Sequence, residues 1–176
     1  MKENFQKALE LMLKHEGGFT DDKRAPGNKN GGSTNLGVTQ AVYEQWIGRK
    51  VTHEEMKALK PEDVAPIYKH NYWKRLSCDQ LPAGLDFFCF TYGVNAGTGR
   101  SAKTLQGLIG AKQDGGIGPK TLAMLERHVV KDLLQRMHDK RQGFYEGLNT
   151  FKHFGNGWTR RNKEELNEAL ELMRQS

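Results

Sequence analysis

Two cysteines, five prolines and no long apolar run mark what this 176-residue chain has little of. Cys78 and Cys89 are too few for a disulfide framework, and no Cys-x-x-Cys pair occurs. In their apolar surroundings they read as buried free thiols. Six histidines are present, but none pairs at the i, i+4 spacing of a helical zinc site. His15-Glu16-Gly17-Gly18-Phe19 opens as an HExxH motif would and lacks the second histidine. No metal and no cofactor are therefore expected. No stretch approaches the roughly 20 apolar residues of a membrane span, so stable membrane insertion is not expected. Residues 1–18 carry acids, have no uninterrupted apolar core and no small-residue cleavage site, and are read as a helix rather than a signal peptide. No low-complexity tract and no repeat period is found.

What is there is a globular composition. Apolar residues are 36% and charged residues 27%, too apolar for disorder and too polar for a membrane protein. A chain of 20.0 kDa buries about 70% of its unfolded surface, enough for one full core, or one core with a small appendage. The 27 basic and 21 acidic side chains leave a net charge of +6. The excess is uneven: residues 1–99 hold 13 basic and 12 acidic side chains, residues 100–176 hold 14 and 9. A basic second half points to an anionic partner. No recognition-helix or aromatic-basic strand motif accompanies it, so nucleic acid is not the expected partner.

The periodicity is mostly helical. Phe5, Leu9 and Met12, widened by Ala8 and Leu13, form one apolar stripe that Gly17-Gly18 should end. Residues 20–37 are turn chemistry, with a small hairpin expected around Asn30-Gly31-Gly32. Thr39 can cap a helix through Val42, Trp46 and Ile47, and Thr52-x-x-Glu55 is a capping box. Pro61 suits the first turn of a helix running toward Trp73. Residues 84–94 are apolar on nearly every side, as a buried central helix would be. Residues 95–99 should break it, and helices are expected at 101–109, from Pro119 and near 129–148. Residues 150–161 read as an aromatic-and-basic loop before a last amphipathic helix with Leu166, Leu170 and Met173. Asp114-Gly115-Gly116-Ile117-Gly118-Pro119 reads as a structural turn.

Glu16 lies 11 positions after Phe5, which returns it to within about 20° of the same helix face. The core-facing row thus ends in a carboxyl group. Apolar surroundings and the negative end of a helix dipole both help such a group keep its proton, as a general acid must. If the last turn frays, the same side chain points to water. A polar Gly-rich loop follows, holding Asp21, Asp22, Thr34 and Asn35. Glycosidases need an acid on one side of the scissile bond and a second polar group, or a water it holds, on the other. Asp22 and Thr34 are candidates for that side, unless they are plain turn residues.

The ordered set of motifs resembles glycoside hydrolase family 108, the TtsA/ZliS-like N-acetylmuramidases. Residues 15–19, HEGGF, resemble that family's H-E-G-G-[YF], and residues 31–39, GGSTNLGVT, resemble G-G-x-T-N-x-G-[IV]-T. Ile67-Tyr68 with Tyr72-Trp73, Cys78-Asp79-Gln80-Leu81-Pro82, and Val94-Asn95-Ala96-Gly97 resemble further family motifs. Residues 114–122 and 155–161 resemble the companion C-terminal peptidoglycan-binding region.

The resemblance implies a mainly α, lysozyme-like fold with a small β-hairpin and an integrated C-terminal helical region. Residues 1–99 would be the catalytic region, and residues 100–176 a peptidoglycan-binding region packed with it as one unit. It implies cleavage of the β-1,4 bond after N-acetylmuramic acid, with Glu16 as the catalytic acid. Thr34, Asn35 and Gln40 become substrate contacts, with Asn95 as another. One departure is plain: the family loop has a second acid where this chain has Ala25, which leaves Asp22 as the choice for positioning water. Tyr72 and Trp73 either stack on sugars or belong to the core. Trp158, beside Arg160 and Arg161, is either a contact surface or packing for the last helix. A lytic transglycosylase and a non-catalytic murein-binding secretion-accessory protein are the rival readings. The expected partner is peptidoglycan and the expected state a monomer. With no export signal recognised, the wall or periplasm would be reached through a holin-like pore or by lysis, and the role would be in phage or prophage lysis or in protein release.

Overall fold

The computed structural model describes the backbone of residues 2–176 and the side chains from residue 4 onward. Among the described residues there are nine α-helices and one two-stranded antiparallel hairpin, so the protein is mainly α as expected. The chain forms two compact units: residues 9–70, and residues up to 8 together with 71–176. The boundary anticipated near residue 100 falls inside the second unit.

Helix α1 (Lys2–Leu13) contributes to both units. Its stripe is buried as read: Phe5, Ala8, Leu9 and Met12 are all inside. The helix stops earlier than Gly17-Gly18, however. His15 N–H and Glu16 N–H bond to the carbonyls of Met12 and Leu13, three residues back, so the last turn tightens and closes before the glycines.

In the unit of residues 9–70, the chain turns through a short 3-10 segment (Pro26–Asn28) into β1 (Thr34–Asn35) and β2 (Val38–Thr39). The register pairs Thr34 with Thr39 and Asn35 with Val38. The two-residue tip is therefore Leu36-Gly37, not Asn30-Gly31-Gly32. Both tip residues have positive φ, 51° and 76°, the signature of the tight turn whose twist matches paired strands. Thr20 pairs with Thr34 as an additional bridge that closes the loop. Helices α2 (Gln40–Ile47), α3 (His53–Lys57) and α4 (Pro61–Tyr68) follow. Thr39 caps α2 through Val42 N–H, and Thr52 and Glu55 form the capping box of α3.

In the other unit, α5 (Leu85–Ala96) is the central helix, buried from Leu85 through Gly93. Helices α6 (Thr98–Ile109), α8 (Val130–Glu146) and α9 (Phe151–Arg174) pack around it, and α7 (Pro119–Leu125) lies against α6. Only Gly97, at φ 95°, separates α5 from α6, so the expected five-residue break is a single glycine. Phe5, Trp73 and Phe90 meet edge to face at 5.4–6.1 Å. Asp86 is buried and accepts from Asn4 Nδ2, Gly84 N–H and Phe87 N–H, which seats the start of α5.

The 150–161 segment is not a loop. It forms the first turns of α9, a continuous helix of 24 residues. Phe151, Phe154 and Trp158 recur at i, i+3 and i+7, and Trp158 packs on Tyr145 and Phe154 at 5.5 and 5.7 Å. Gly155 lets the Phe151 ring lie against the helix backbone, where a Cβ would overlap the ring at about 2.6 Å. Packing thus outweighs the roughly 1 kcal/mol that a helical glycine costs relative to alanine.

The residue 114–118 turn is structural, as expected. The buried Gln106 carboxamide holds it, donating to Asp114 Oδ1 and Gly116 O and accepting from Gly115 N–H.

Candidate active site

Three groups meet within the residue 9–70 unit. The Glu16 carboxyl group, half-buried just past the end of α1, lies against the hairpin tip. A Cβ placed on Gly37 would come within 3.0 Å of Glu16 Oε2 and would overlap the Tyr68 hydroxyl. That hydroxyl donates to Leu36 O at 2.7 Å, from the last residue of α4. The tip is thus held by a buried tyrosine, and its missing side chain leaves the space that the carboxyl group occupies. Leu36, a non-glycine in the left-handed region, adds backbone strain of roughly 1–2 kcal/mol at the same point.

A polar lattice stands behind the hairpin. Asn28 is fully buried, and its amide donates to Thr20 O and Asp22 O. Its Oδ1 accepts the Thr34 hydroxyl at 2.8 Å. Gln40 accepts from both Ser33 N–H and Ser33 Oγ, and donates to Val51 O. Asn35 is buried, and its amide donates to Met56 O at 2.9 Å. Asn35 and Gln40 therefore spend their side chains within the unit, tying the hairpin to α3 and to the chain before it.

Asp22 is half-exposed and clasped by Arg24, whose Nε and terminal nitrogen donate to its carboxylate at 2.7–3.1 Å. These bonds, with Arg24 N–H, lower its pKa from 3.8 to about 2. The carboxylate is thus ionised at any physiological pH.

The remaining candidates lie in the other unit. Tyr72 is half-buried in a π-helical turn (Lys69–Trp73). Its neighbour Trp73 is core, fully buried with Nε1 donating to Asp79 Oδ1. Asn95 is exposed in the last turn of α5. Trp158 is half-buried on α9, packed against Tyr145 and Phe154. Among the described residues no group of three or more His, Cys, Asp or Glu side chains is placed to hold a metal ion.

Tyr68, Gly37 and Asn28 were not singled out as site residues from the sequence. Tyr68 and Gly37 sat inside recognised motifs, but only the fold brings residues 16, 37 and 68 together. Asn28 was hidden in turn chemistry, where an asparagine usually serves the turn alone.

A glycoside hydrolase needs an acid on one side of the scissile bond and a second carboxyl group on the other, and Glu16 and Asp22 lie in the same unit here. The family model described as glycosyl hydrolase 108 matches residues 9–97, a span that contains every candidate above except Trp158. Brucella abortus SagA, a solved structure, is 38% identical over 99% of this chain and 98% of that one, with a TM-score of 0.85. No match was found among the curated proteins. The chain belongs to glycosyl hydrolase family 108.

Proposed function

We propose that this glycosidase is a peptidoglycan hydrolase of the N-acetylmuramidase type, cutting the β-1,4 bond between N-acetylmuramic acid and N-acetylglucosamine. The observation that carries the reading is the seat of Glu16, whose carboxyl group is held over Gly37 beside the Tyr68 hydroxyl in a family 108 chain. In this reading Glu16 gives its proton to the glycosidic oxygen as the C1–O bond breaks, and the electron pair leaves with that oxygen. A water adds to C1 through its oxygen and gives up one proton to the Asp22 carboxylate or to bulk solvent.

Thr34 and Asp22 are assigned to the water. The Thr34 proton is committed to Asn28, so its oxygen is left to accept from a water. Asp22 supplies a permanently ionised carboxylate, moderated by Arg24. Asn35 and Gln40 hold the hairpin in place, and Tyr72, Asn95 and Trp158 are assigned to sugar contacts. Opening the wall in this way would serve phage or prophage lysis, or the release of other proteins.

Glu16→Gln keeps the shape and removes the transferable proton. Clearing of purified cell walls should fall by at least about a hundredfold, the lower range of general-acid contributions. Wild-type-like clearing by this variant sinks the assignment. Mass spectrometry of the released fragments reads the second half of the reaction. Reducing muramic ends mean that water attacks, and 1,6-anhydro ends would make the enzyme a lytic transglycosylase instead.

A further inference from the structure

The loop that carries Asp22 also carries the cation that covers it. Arg24 donates to the Asp22 carboxylate through Nε and Nη2 at 2.7–3.1 Å. Asp22 does not depend on that guanidinium for its place. Its Oδ1 accepts the Arg24 backbone N–H at 2.9 Å, its own N–H donates to Thr20 Oγ1, and its carbonyl accepts from Asn28 Nδ2. Asn28 in turn accepts the Thr34 hydroxyl, so both residues assigned to the water hang on one buried amide. The two partners of the clasp differ in exposure. The Arg24 side chain is 91% exposed and the Asp22 side chain 41%. Among the described residues, the Arg24 side chain bonds to nothing but Asp22. Lys23 and Lys29 are exposed on the same loop, so with Arg24 its cations outnumber Asp21 and Asp22.

A carboxylate in such a clasp is a poor acceptor of a proton from water. The guanidinium occupies its lone pairs, and the adjacent positive charge disfavours the protonated form. The clasp is also easily exchanged. An ion pair this open to solvent contributes little, and a planar guanidinium gives up one carboxylate for another of the same geometry. The backbone bonds keep Asp22 where it is when the guanidinium leaves. A carboxylate brought by the ligand can take both bonds of the fork, which a neutral sugar hydroxyl cannot. Muramic acid brings one on its lactyl side chain or on the peptide stem built upon it, and N-acetylglucosamine brings none.

We propose that Arg24 is an exchangeable clasp that determines specificity: it covers Asp22 in the free protein and transfers to a muramic carboxylate of the bound glycan, which uncovers Asp22 for the attacking water. Recognition of the muramic residue and release of the acid are then one event, so binding energy from the correct sugar completes the site. The choice of ligand and the use of Asp22 rest on the muramidase reading above, whereas the opening of the pair by a carboxylate does not.

The test uses two soluble substrates: glycan strands freed of their stems, which keep the lactyl carboxylate, and uncross-linked strands with intact stems. Each is also prepared with its carboxylates amidated. In Glu16→Gln protein, which should hold strands without cutting them, the Asp22 carboxyl resonance is followed by NMR. Native strands should move it to its position in protein that also carries Arg24→Gln, and amidated strands should shift other resonances while leaving it in place. Movement by the stem-free strands assigns the exchange to the lactyl carboxylate, and movement by the stem-bearing strands alone assigns it to the stem; either supports the proposal. In cleavage by the parent protein, kcat/KM should be about tenfold higher for the carboxylate-bearing strands than for their amidated form, and Arg24→Gln should erase that preference through KM rather than kcat. Arg24→Lys keeps the charge without the planar fork and should recover part of the preference. A clasp that only supports the loop would lower kcat equally on every strand. That result, a parent protein with no preference, a preference retained by Arg24→Gln, or an Asp22 resonance that stays in place while native strands bind would each overturn the proposal. A spectrum that no strand moves would overturn it together with the choice of ligand. If Glu16→Gln cuts as fast as the parent protein, the muramidase reading fails while the Asp22 resonance still decides the exchange.

Discussion

At the scale of single residues, the site depends on an absence. Gly37 has no side chain, and Glu16 and Tyr68 occupy the space a methyl group would need. Its φ of 76° also disfavours any other residue. Gly37→Ala should therefore cost wall-clearing activity more severely than its effect on melting temperature suggests, read from both measurements on the same preparation. Tyr68→Phe is the milder probe. It removes the bond to Leu36 O while keeping the ring, so a drop in kcat with a nearly unchanged fold would mark Tyr68 as a positioning residue. An unchanged kcat would make the hydroxyl a structural tie alone. Asp22 offers a pH readout. Its folded pKa, about 2, lies below the ordinary 3.8, so the Arg24 clasp favours the folded state above about pH 4 and is lost as the pH falls through about 2. In Arg24→Ala, the Asp22 carboxyl resonance followed by NMR should titrate nearer 3.8.

Between elements, a buried polar tie joins α8, α9 and α5. Arg141 and Glu165 are completely buried and meet at 2.7 Å. Arg141 also donates to Asn162 Oδ1 and Thr91 Oγ1 and lies over the Phe88 ring. Burial alone pushes the Glu165 carboxyl up, but the guanidinium groups of Arg141 and Arg161 outweigh it and hold the group below its usual range. Removing one partner strands the other as a buried charge. Arg141→Met should cost about 3–5 kcal/mol in urea unfolding, and Arg141→Met with Glu165→Leu should recover much of that loss. The same helices include a segment whose periodicity the sequence conceals. Phe151, Phe154 and Trp158 carry a helical spacing, but Gly155, Gly157 and the neighbouring polar residues masked it. The Gly155–Phe151 contact that rewards the helix becomes visible only with packing.

For the molecule as a whole, the cysteines give a simple check of the core. Cys78 and Cys89 are buried and unpaired, and burial pushes the Cys89 thiol up to about 12 and Cys78 well above its usual value. An aromatic disulfide reagent should find no fast-reacting thiol in the native protein and both in guanidinium. Rapid native reaction would show a core that opens. The charge excess, diffuse when counted along the chain, is concentrated in part in a groove between α6 and α8 lined by Arg100, Lys103, Arg136 and Lys140.

How much was legible follows the range of the interactions. The helical character, the α1 stripe, both threonine caps, the buried α5 and the order of the family motifs all rest on residues within a turn or two of each other. Local spacing and propensity were enough to determine them. The hairpin tip, the tasks of Asn35 and Gln40, the start of α9 and the meeting of residues 16, 37 and 68 required tertiary structure. Each depends on which distant group occupies a given space, and no local pattern encodes it: Leu36 accepts positive φ within a fold that brings Tyr68 to its carbonyl, and Gly37 is a turn glycine until Glu16 fills the room it leaves. Sequence alone thus determined the kind of chain and the stripe of α1, while tertiary packing decided what the Glu16 carboxyl group is set against.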